Sequence, residues 1–405
     1  MPDSCPLSAA SRLRCLTRRL PHPAIFLSLC LTAVLAAAAQ CGELAKIRYN
    51  PDAGVLAPVQ IGEERVIGWL DTGCSQTVFD WSLRRQMGQK LGEIRANTTT
   101  AAIAANQFAA PRATVAKLPI GDDPVLCLGI PEVKAVAGCE LQAFIGMTFL
   151  KHKILQLDPD RGVVRLLDAL PSDPGEPFAL GVSPQAIPTI TMHLPGGGEE
   201  QFLIDTGLLT YNSGDLSESV LRTLRARRQV IDLGRGLRTD AHGTSVLQKV
   251  EITSLTLGPF QHRHLHFSSS TRSTIGLRFL SRYVATFDFP GQTLYLRKSR
   301  TFDDEDRLDR SGMHFLRRNG EVEIVQVDAE SPAESQGLQP GDIITHINGE
   351  PAPIGALHPL RMRLTQVEHA VDLSVRRGQQ QREIHLDLNF VPPRPPPNST
   401  KFLPQ

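Results

Sequence analysis

Val66-Ile67-Gly68-Trp69-Leu70-Asp71-Thr72-Gly73 carries an apolar run into an aspartate held in a tight turn, and Phe202-Leu203-Ile204-Asp205-Thr206-Gly207 does the same well downstream. A short apolar run bounded by turn residues has the pattern of a buried strand. Each stretch therefore delivers one carboxylate from a core strand into a turn. Glycine at the third position opens backbone conformations closed to other residues, and the threonine hydroxyl is placed to hydrogen-bond the loop beneath the acid. One Asp-Thr-Gly arises by chance in about one chain in ten of this length and carries little weight alone. Two in matching contexts mark an internal duplication, provided their surroundings repeat as well.

They do repeat. Phe144-Ile145-Gly146-Met147-Thr148-Phe149-Leu150 follows the first tripeptide, and Thr274-Ile275-Gly276-Leu277-Arg278-Phe279-Leu280 follows the second. Each continues to an aspartate, Asp158 or Asp288, at one shared offset from the glycine, and each closes on a strand, Val164-Arg165-Leu166 or Leu294-Tyr295-Leu296. On these residues the chain resembles the retropepsin-like aspartic peptidases, whose half-unit is a strand ending in Asp-Thr-Gly, a flap hairpin and a later apolar-apolar-Gly strand. Here both halves lie in one chain. The resemblance implies a mainly β fold of two retropepsin-like β-barrel lobes, 44–168 and 179–298, related by a pseudo-twofold axis. It implies catalytic Asp71 and Asp205 meeting on that axis, supported by Thr72, Gly73, Thr206 and Gly207, the threonines bracing the two loops against each other. The reaction implied is peptide-bond hydrolysis by a water held between one ionised and one protonated carboxyl, with no metal and no cofactor. Which aspartate acts as base is left open by the sequence.

Family members active in acid usually follow the tripeptide with Ser or Thr, whose hydroxyl bonds the carboxylate; here Cys74 and Leu208 stand there. Losing a bond to the charged form raises a pKa. The expected optimum is accordingly mildly acid to neutral. A fold kept only for binding peptides is the alternative reading of the same residues.

Residues 1–39 have the layout of a secretory signal peptide: Arg12, Arg14, Arg18 and Arg19, an apolar run from Ala24 to Ala39, then small residues suited to cleavage. The run falls short of the roughly 20 residues of a membrane-spanning helix, so the expected product is exported, periplasmic or extracellular. Membrane association would require the segment to be retained or Cys41 to be lipidated, and Gln40 is a poor residue for the latter. The first lobe begins almost at once, leaving hardly any room for an inhibitory pro-segment. Cys127 and Cys139 are close enough to suggest a local bridge, or stand as two separate buried thiols. A formal net charge of +1 gives no field that would gather nucleic acid or an anionic membrane. Polypeptides are the partners implied.

Within the lobes, Ser82–Leu91 is expected to be helical, Thr98–Val115 to form the first flap, and the segment around His242-Gly243 the second. Gly234-Arg235-Gly236 is expected to be a turn. Residues 169–178, dense in Pro and Gly, form the expected linker. His262, His264 and His266 alternate and would share one face of a strand; with no carboxylate or cysteine to complete a zinc site, a solvated face opposite Leu265 and Phe267 is expected.

After a charged hinge at 299–310, Ser331-Pro332-Ala333-Glu334-Ser335-Gln336-Gly337-Leu338-Gln339-Pro340-Gly341-Asp342-Ile343-Ile344 and Ile347-Asn348-Gly349 resemble the interior of a PDZ domain, which would occupy 311–390 as a small α+β unit. Gly312-Met313-His314-Phe315 then matches the family's carboxylate-binding loop, with His314 where glycine is usual, and Leu357–Leu364 would be the helix across the groove. The resemblance implies binding of peptide or protein C-termini as an added strand. The domain would deliver substrates or, by occluding the cleft, regulate it. Residues 391–405 form a Pro-rich tail expected to be extended and disordered.

Overall fold

The first lobe builds from strands whose burial alternates. In Leu56–Ile61 the side chains of Ala57, Val59 and Ile61 point into the core while Pro58 points out, and Glu64–Leu70 pairs with it antiparallel. In the computed structural model the described residues are 42–389 apart from 51–52, 98–101, 138, 209–211, 241–242, 307, 353–356 and 367–369. The expected signal segment, Cys41, His242 of the second flap and the Pro-rich tail lie outside them.

The duplication is visible as one strand path followed twice. In the first lobe the order in space is Lys90–Asn97, Ala102–Phe108, Val125–Leu128, Val78–Asp80, Leu141–Ile145, Glu64–Leu70, Leu56–Ile61. In the second it is Val230–Asp240, Gly243–Leu257, Phe260–Ser270, Gly214–Ser217, Thr274–Ile275, Glu199–Ile204, Pro188–His193. The strand leading to each aspartate runs parallel to the strand before Gly146 or Gly276 in both lobes. A pairing of His193 with Thr256 closes the second sheet on itself.

A third sheet joins the lobes. Its central pair, Ile154–Asp158 against Tyr283–Asp288, is antiparallel with Gln156 opposite Thr286, two residues 130 positions apart that are each other's counterparts in the repeat. Leu155 faces Phe287 and Leu157 faces Ala285, so the pseudo-twofold axis passes through the Gln156–Thr286 pair. Asp158 and Asp288 end these strands, each accepting from the N–H three residues on, Arg161 at 3.1 Å and Gly291 at 2.9 Å. The repeated aspartate is a turn cap.

Met313–Arg318, Glu321–Val327, Ile343–Ile347, Ala370–Arg377 and Gln380–Asp387 form the C-terminal sheet, packed with helix His358–Gln366 around its own core of Ile324, Leu360, Leu373 and Leu386. The chain is mainly β, as its alternation predicts.

Several local expectations are corrected. Ser82–Leu91 is no helix beyond a 3₁₀ turn at Trp81–Gln86, capped by Asp80; Lys90–Asn97 is a strand pairing with Ala102–Phe108. The first flap therefore starts at Lys90, and Ala113–Val115 belongs to a different ladder, with Val59–Ile61. Gly234-Arg235-Gly236 lies inside a flap strand, where Gly234 (φ +102°) absorbs a register shift. The last three residues of the linker begin a strand, Glu176–Ala179, that pairs with Thr293–Lys298.

The three histidines do not share a face. Inward-facing positions change phase between Arg263 and Leu265, where His264 takes φ +51°. His262 is buried, its Nε2 2.5 Å from the Tyr283 hydroxyl, and burial followed by the Arg282 charge pushes its pKa down to about 3. Cys127 and Cys139 are free thiols, Cys127 directed to the Asp80 carbonyl at 3.6 Å.

The charged hinge is a docked strap. Phe302 joins an aromatic cluster with Phe260, His262 and Tyr283. The fully buried carboxylate of Asp306 accepts from Ser213 N–H (3.0 Å), Ser213 Oγ (2.7 Å), His266 N–H (2.9 Å) and Arg282 Nη2 (2.7 Å), with Arg278 Nε at 3.4 Å. Four charges at 303–306 give the sequence the look of a solvated stretch, but one of them closes the second lobe.

Candidate active site and peptide groove

Asp71 and Asp205 emerge from their strands at equivalent points, their N–H groups donating to the Ile145 and Ile275 carbonyls at 3.0 Å each. The loops beneath them interlock. Thr72 N–H donates to Thr206 Oγ1 (3.0 Å) and Thr72 Oγ1 to the Ile204 carbonyl (2.7 Å). Thr206 N–H donates to Thr72 Oγ1 (3.0 Å) and Thr206 Oγ1 to the Leu70 carbonyl (2.7 Å). Both threonines are fully buried, so every donor in this reciprocal set is used where water cannot replace it. Trp69 Nε1 adds a bond to the Thr206 carbonyl at 3.0 Å that has no counterpart from Leu203.

Glycine is required here for a reason other than the one the turn suggests. Neither Gly73 nor Gly207 takes a left-handed φ. A Cβ on Gly73 would lie 2.3 Å from Asp205 Cγ, and one on Gly207 would lie 2.5 Å from Asp71 Cγ. Each glycine makes room for the carboxylate of the opposite lobe. Gly73 N–H donates to Asp71 Oδ1 (2.8 Å) and Gly207 N–H to Asp205 Oδ1 (2.8 Å), which fixes both carboxyls toward the axis.

Two acids so placed cannot both ionise easily. Asp71 is held well above the usual carboxylate range, first by burial, then by the Asp205 charge and the bond shared with it. Asp205 is raised too, again by burial, with the N–H groups of Gly207 and Leu208 (3.0 Å) favouring its charged form. The pair holds a proton into a range where lone carboxyls have lost theirs. The residues after the tripeptides contribute no side-chain bond to it. Cys74 Sγ turns to the Gln76 carbonyl at 3.0 Å, its thiol pushed well up by burial and then by Asp71, and Leu208 offers only its N–H.

The dyad lies in a cleft of about 650 Å³. Ile94, Ala96 and Ile103 of the first flap line it on one side, Leu237, Arg238 and Leu247 of the second flap on the other. Asp215, buried on Gly214–Ser217, is the acid that motif reading missed: it receives Arg238 from the second flap, whose Nη1 also reaches Ser270 Oγ at 3.2 Å. Aligning the two halves would have exposed it, since a charged residue interrupts a buried stretch that in the first lobe is Thr77-Val78-Phe79.

The same cleft extends to Gly312, His314 and Phe315. Met313–Arg318 is the edge strand of its sheet, and helix His358–Gln366 stands across from it. Gly312 takes φ +69°, and a Cβ there would strike the Ser331 side chain at 2.2 Å. Met313 N–H is engaged by Ser311 Oγ (3.1 Å), so one donor of the expected carboxylate loop is committed within the chain. The His314 ring lies beside Asp328, Nε2 to Oδ1 2.9 Å. Arg361 on the helix donates to the Val136 carbonyl at 2.6 Å, and Arg317 lies 3.6 Å from Glu140, so the lobe-1 helix Pro131–Ala137 and the residues after it rest against this groove.

Residues 323–377 match the family model of the PDZ domain. No curated protein matches the chain. The C-terminal unit is therefore a PDZ domain, a fold that binds peptide or protein ligands.

Proposed function

We propose that the chain is an exported aspartic endopeptidase whose PDZ domain presents the C-termini of polypeptides to the cleft. The observation that carries this reading is the reciprocal Thr72–Thr206 network, which holds Asp71 and Asp205 face to face with a glycine opposite each. Such rigidity about two carboxyls serves a reaction in which a water must be held, deprotonated and directed at a carbonyl. The ionised acid takes the proton of the bound water, the water oxygen attacks the scissile carbonyl carbon, and the protonated acid donates to the carbonyl oxygen. The first acid then passes its proton to the amide nitrogen, the second takes back a hydroxyl proton, and the C–N bond breaks to release amine and carboxylic acid with the dyad again holding one proton. Each acid faces two backbone N–H groups, Gly73 and Cys74 for Asp71 and Gly207 and Leu208 for Asp205, so either carboxyl is equipped to carry the charge while the other holds the shared proton. Continuity of the cleft with the groove favours delivery of substrate by the PDZ domain, and export rests on residues 1–39.

The test is digestion of casein by the mature chain between about pH 3 and 8 beside Asp71→Asn, because a shared-proton dyad gives a bell-shaped profile. Cleavage with a mildly acid to neutral optimum, absent in the variant, is expected. No cleavage by the wild type, and none after removal of the PDZ domain, would leave a peptide-binding adaptor. That truncation must keep the chain to residue 310, because Phe302 and Asp306 belong to the second lobe.

A further inference from the structure

The pseudo-twofold axis relates backbones more faithfully than side chains, and the departures concentrate beside the dyad. In the first lobe Val78 pairs with Phe144 on one side and Leu126 on the other. In the second lobe Asp215 holds the same position, paired with Thr274 and Ser268. All six side chains line the cleft. The first trio is wholly apolar and is extended by Ala105, Ile94 and Leu128. The second is polar throughout, and its centre is a carboxylate 2% exposed.

A buried carboxylate is costly unless a cation meets it. The partner here is Arg238, carried near the tip of the second flap, the Val230–Asp240 and Gly243–Leu257 hairpin. A hairpin over a cleft must lift to admit a polypeptide, and lifting this one withdraws the guanidinium from Asp215 and Ser270. What remains is a polar recess around a carboxyl that burial pushes up to about 6 even with Arg238 beside it, so it keeps its charge only when another cation takes that place. A cationic side chain restores the lost pairing. An acidic one would meet Asp215 directly, and while the flap is down Arg238 is already neutralised.

We infer that the second-lobe recess is a subsite for a lysine or arginine side chain of the substrate, filled in the closed cleft by Arg238 as an internal surrogate, while the first-lobe recess takes a bulky apolar side chain. This deepens the peptidase reading and rests on it. Preferred substrates then carry a basic and an apolar residue on opposite sides of the scissile bond.

The experiment uses a panel of otherwise identical peptides with Arg, Lys, Glu, Asn or Leu on one side of the bond and Leu on the other. Cleavage by the wild-type chain is measured together with binding to the inactive Asp71→Asn chain. A kcat/KM for Arg and Lys about tenfold or more above that for Leu and Glu is expected, matched in binding. Asp215→Asn should flatten the preference, and Arg238→Ala should lower KM for the basic peptides alone. Cleavage with equal use of all five peptides, or with Glu preferred, overturns the inference and leaves the peptidase standing. Basic-selective binding without cleavage by the wild type overturns the peptidase and keeps the subsite. No binding of any peptide overturns both.

Discussion

The first and second lobes share a strand path, an interlocking loop and a carboxylate at the same point, yet they are stabilised differently. The first lobe is closed by apolar packing up to the edge of the cleft. The second brings a buried ion pair, Asp215 with Arg238, to the cleft wall and another, Asp306 with Arg278 and Arg282, under its strap, whereas the first lobe's buried carboxylates, Asp80 with Lys134 and Asp158 with Arg161 and Arg165, do not line the cleft. Symmetry is kept where two carboxyls must meet and dropped at the walls and the exits. The lesson is that a duplicated fold constrains its axis and leaves its periphery free to take on new contacts.

The largest effect should come from the asymmetric strap. Asp306→Ala leaves two buried arginines, Ser213 and a backbone N–H without their acceptor, and breaking a buried pair in this way costs about 3–5 kcal/mol. Asp173→Ala, in the corresponding segment after the first lobe, removes a carboxylate whose side chain is 80% exposed and should stay within about 0.5 kcal/mol of wild type. Chemical denaturation of the two variants reads the difference directly. Equal destabilisation would break the contrast between the lobes.

Next in size are the glycines of the axis. Gly73→Ala and Gly207→Ala each force a methyl into the opposite carboxylate, so the loops must part by a sizeable fraction of an ångström. Displacement on that scale costs about a hundredfold in rate. Similar losses of casein-cleaving activity in the two variants would confirm that the axis is symmetric; loss in only one would show that a single lobe sets the geometry.

The threonines should matter less. Thr72→Val and Thr206→Val each remove a hydroxyl that donates one bond and accepts another, a loss of about 1–3 kcal/mol with a buried N–H left unpaired. Thr206 is also held through its carbonyl by Trp69, a tie that either valine leaves intact. Melting temperatures of the two variants should therefore fall together.

How much of this was legible in the sequence follows the same division. The dyad, its threonines, the two lobes and the PDZ interior are carried by short local signals: a tripeptide at a strand end, an apolar-Gly step, glycines at turns. The flap starts earlier than the sequence suggests because Leu91 sits on the exposed side of Lys90–Asn97 and breaks the hydropathy alternation that Gly92, Ile94 and Ala96 keep on the cleft side. The strap was misread because burial of Asp306 depends on Arg278, Arg282 and Ser213, all supplied from distant points in the chain. His262 was assigned to the wrong face because period-two counting fails where a strand changes phase. Long-range ion pairs and local departures from regular geometry are what a single sequence withholds.

The smallest effect probes the axis itself. Asp71 has an ordinary carboxyl pKa of 3.8 in the unfolded chain and a raised one in the folded protein, because of burial and then the Asp205 charge. Between those values the folded state binds more protons than the unfolded state, so stability falls as pH rises through the window and the loss is complete above it. Asp71→Asn removes the titration while keeping the shape. Its melting temperature should match wild type near about pH 3, where both forms are neutral, and exceed it at neutral pH by about 2 °C for each kcal/mol recovered. Asp205→Asn should gain in the same direction, because burial raises its carboxyl as well and each acid faces two backbone N–H groups, Gly73 and Cys74 or Gly207 and Leu208. Equal gains would mean that the two acids share their proton evenly, and the asymmetry of the lobes would then stop short of the dyad.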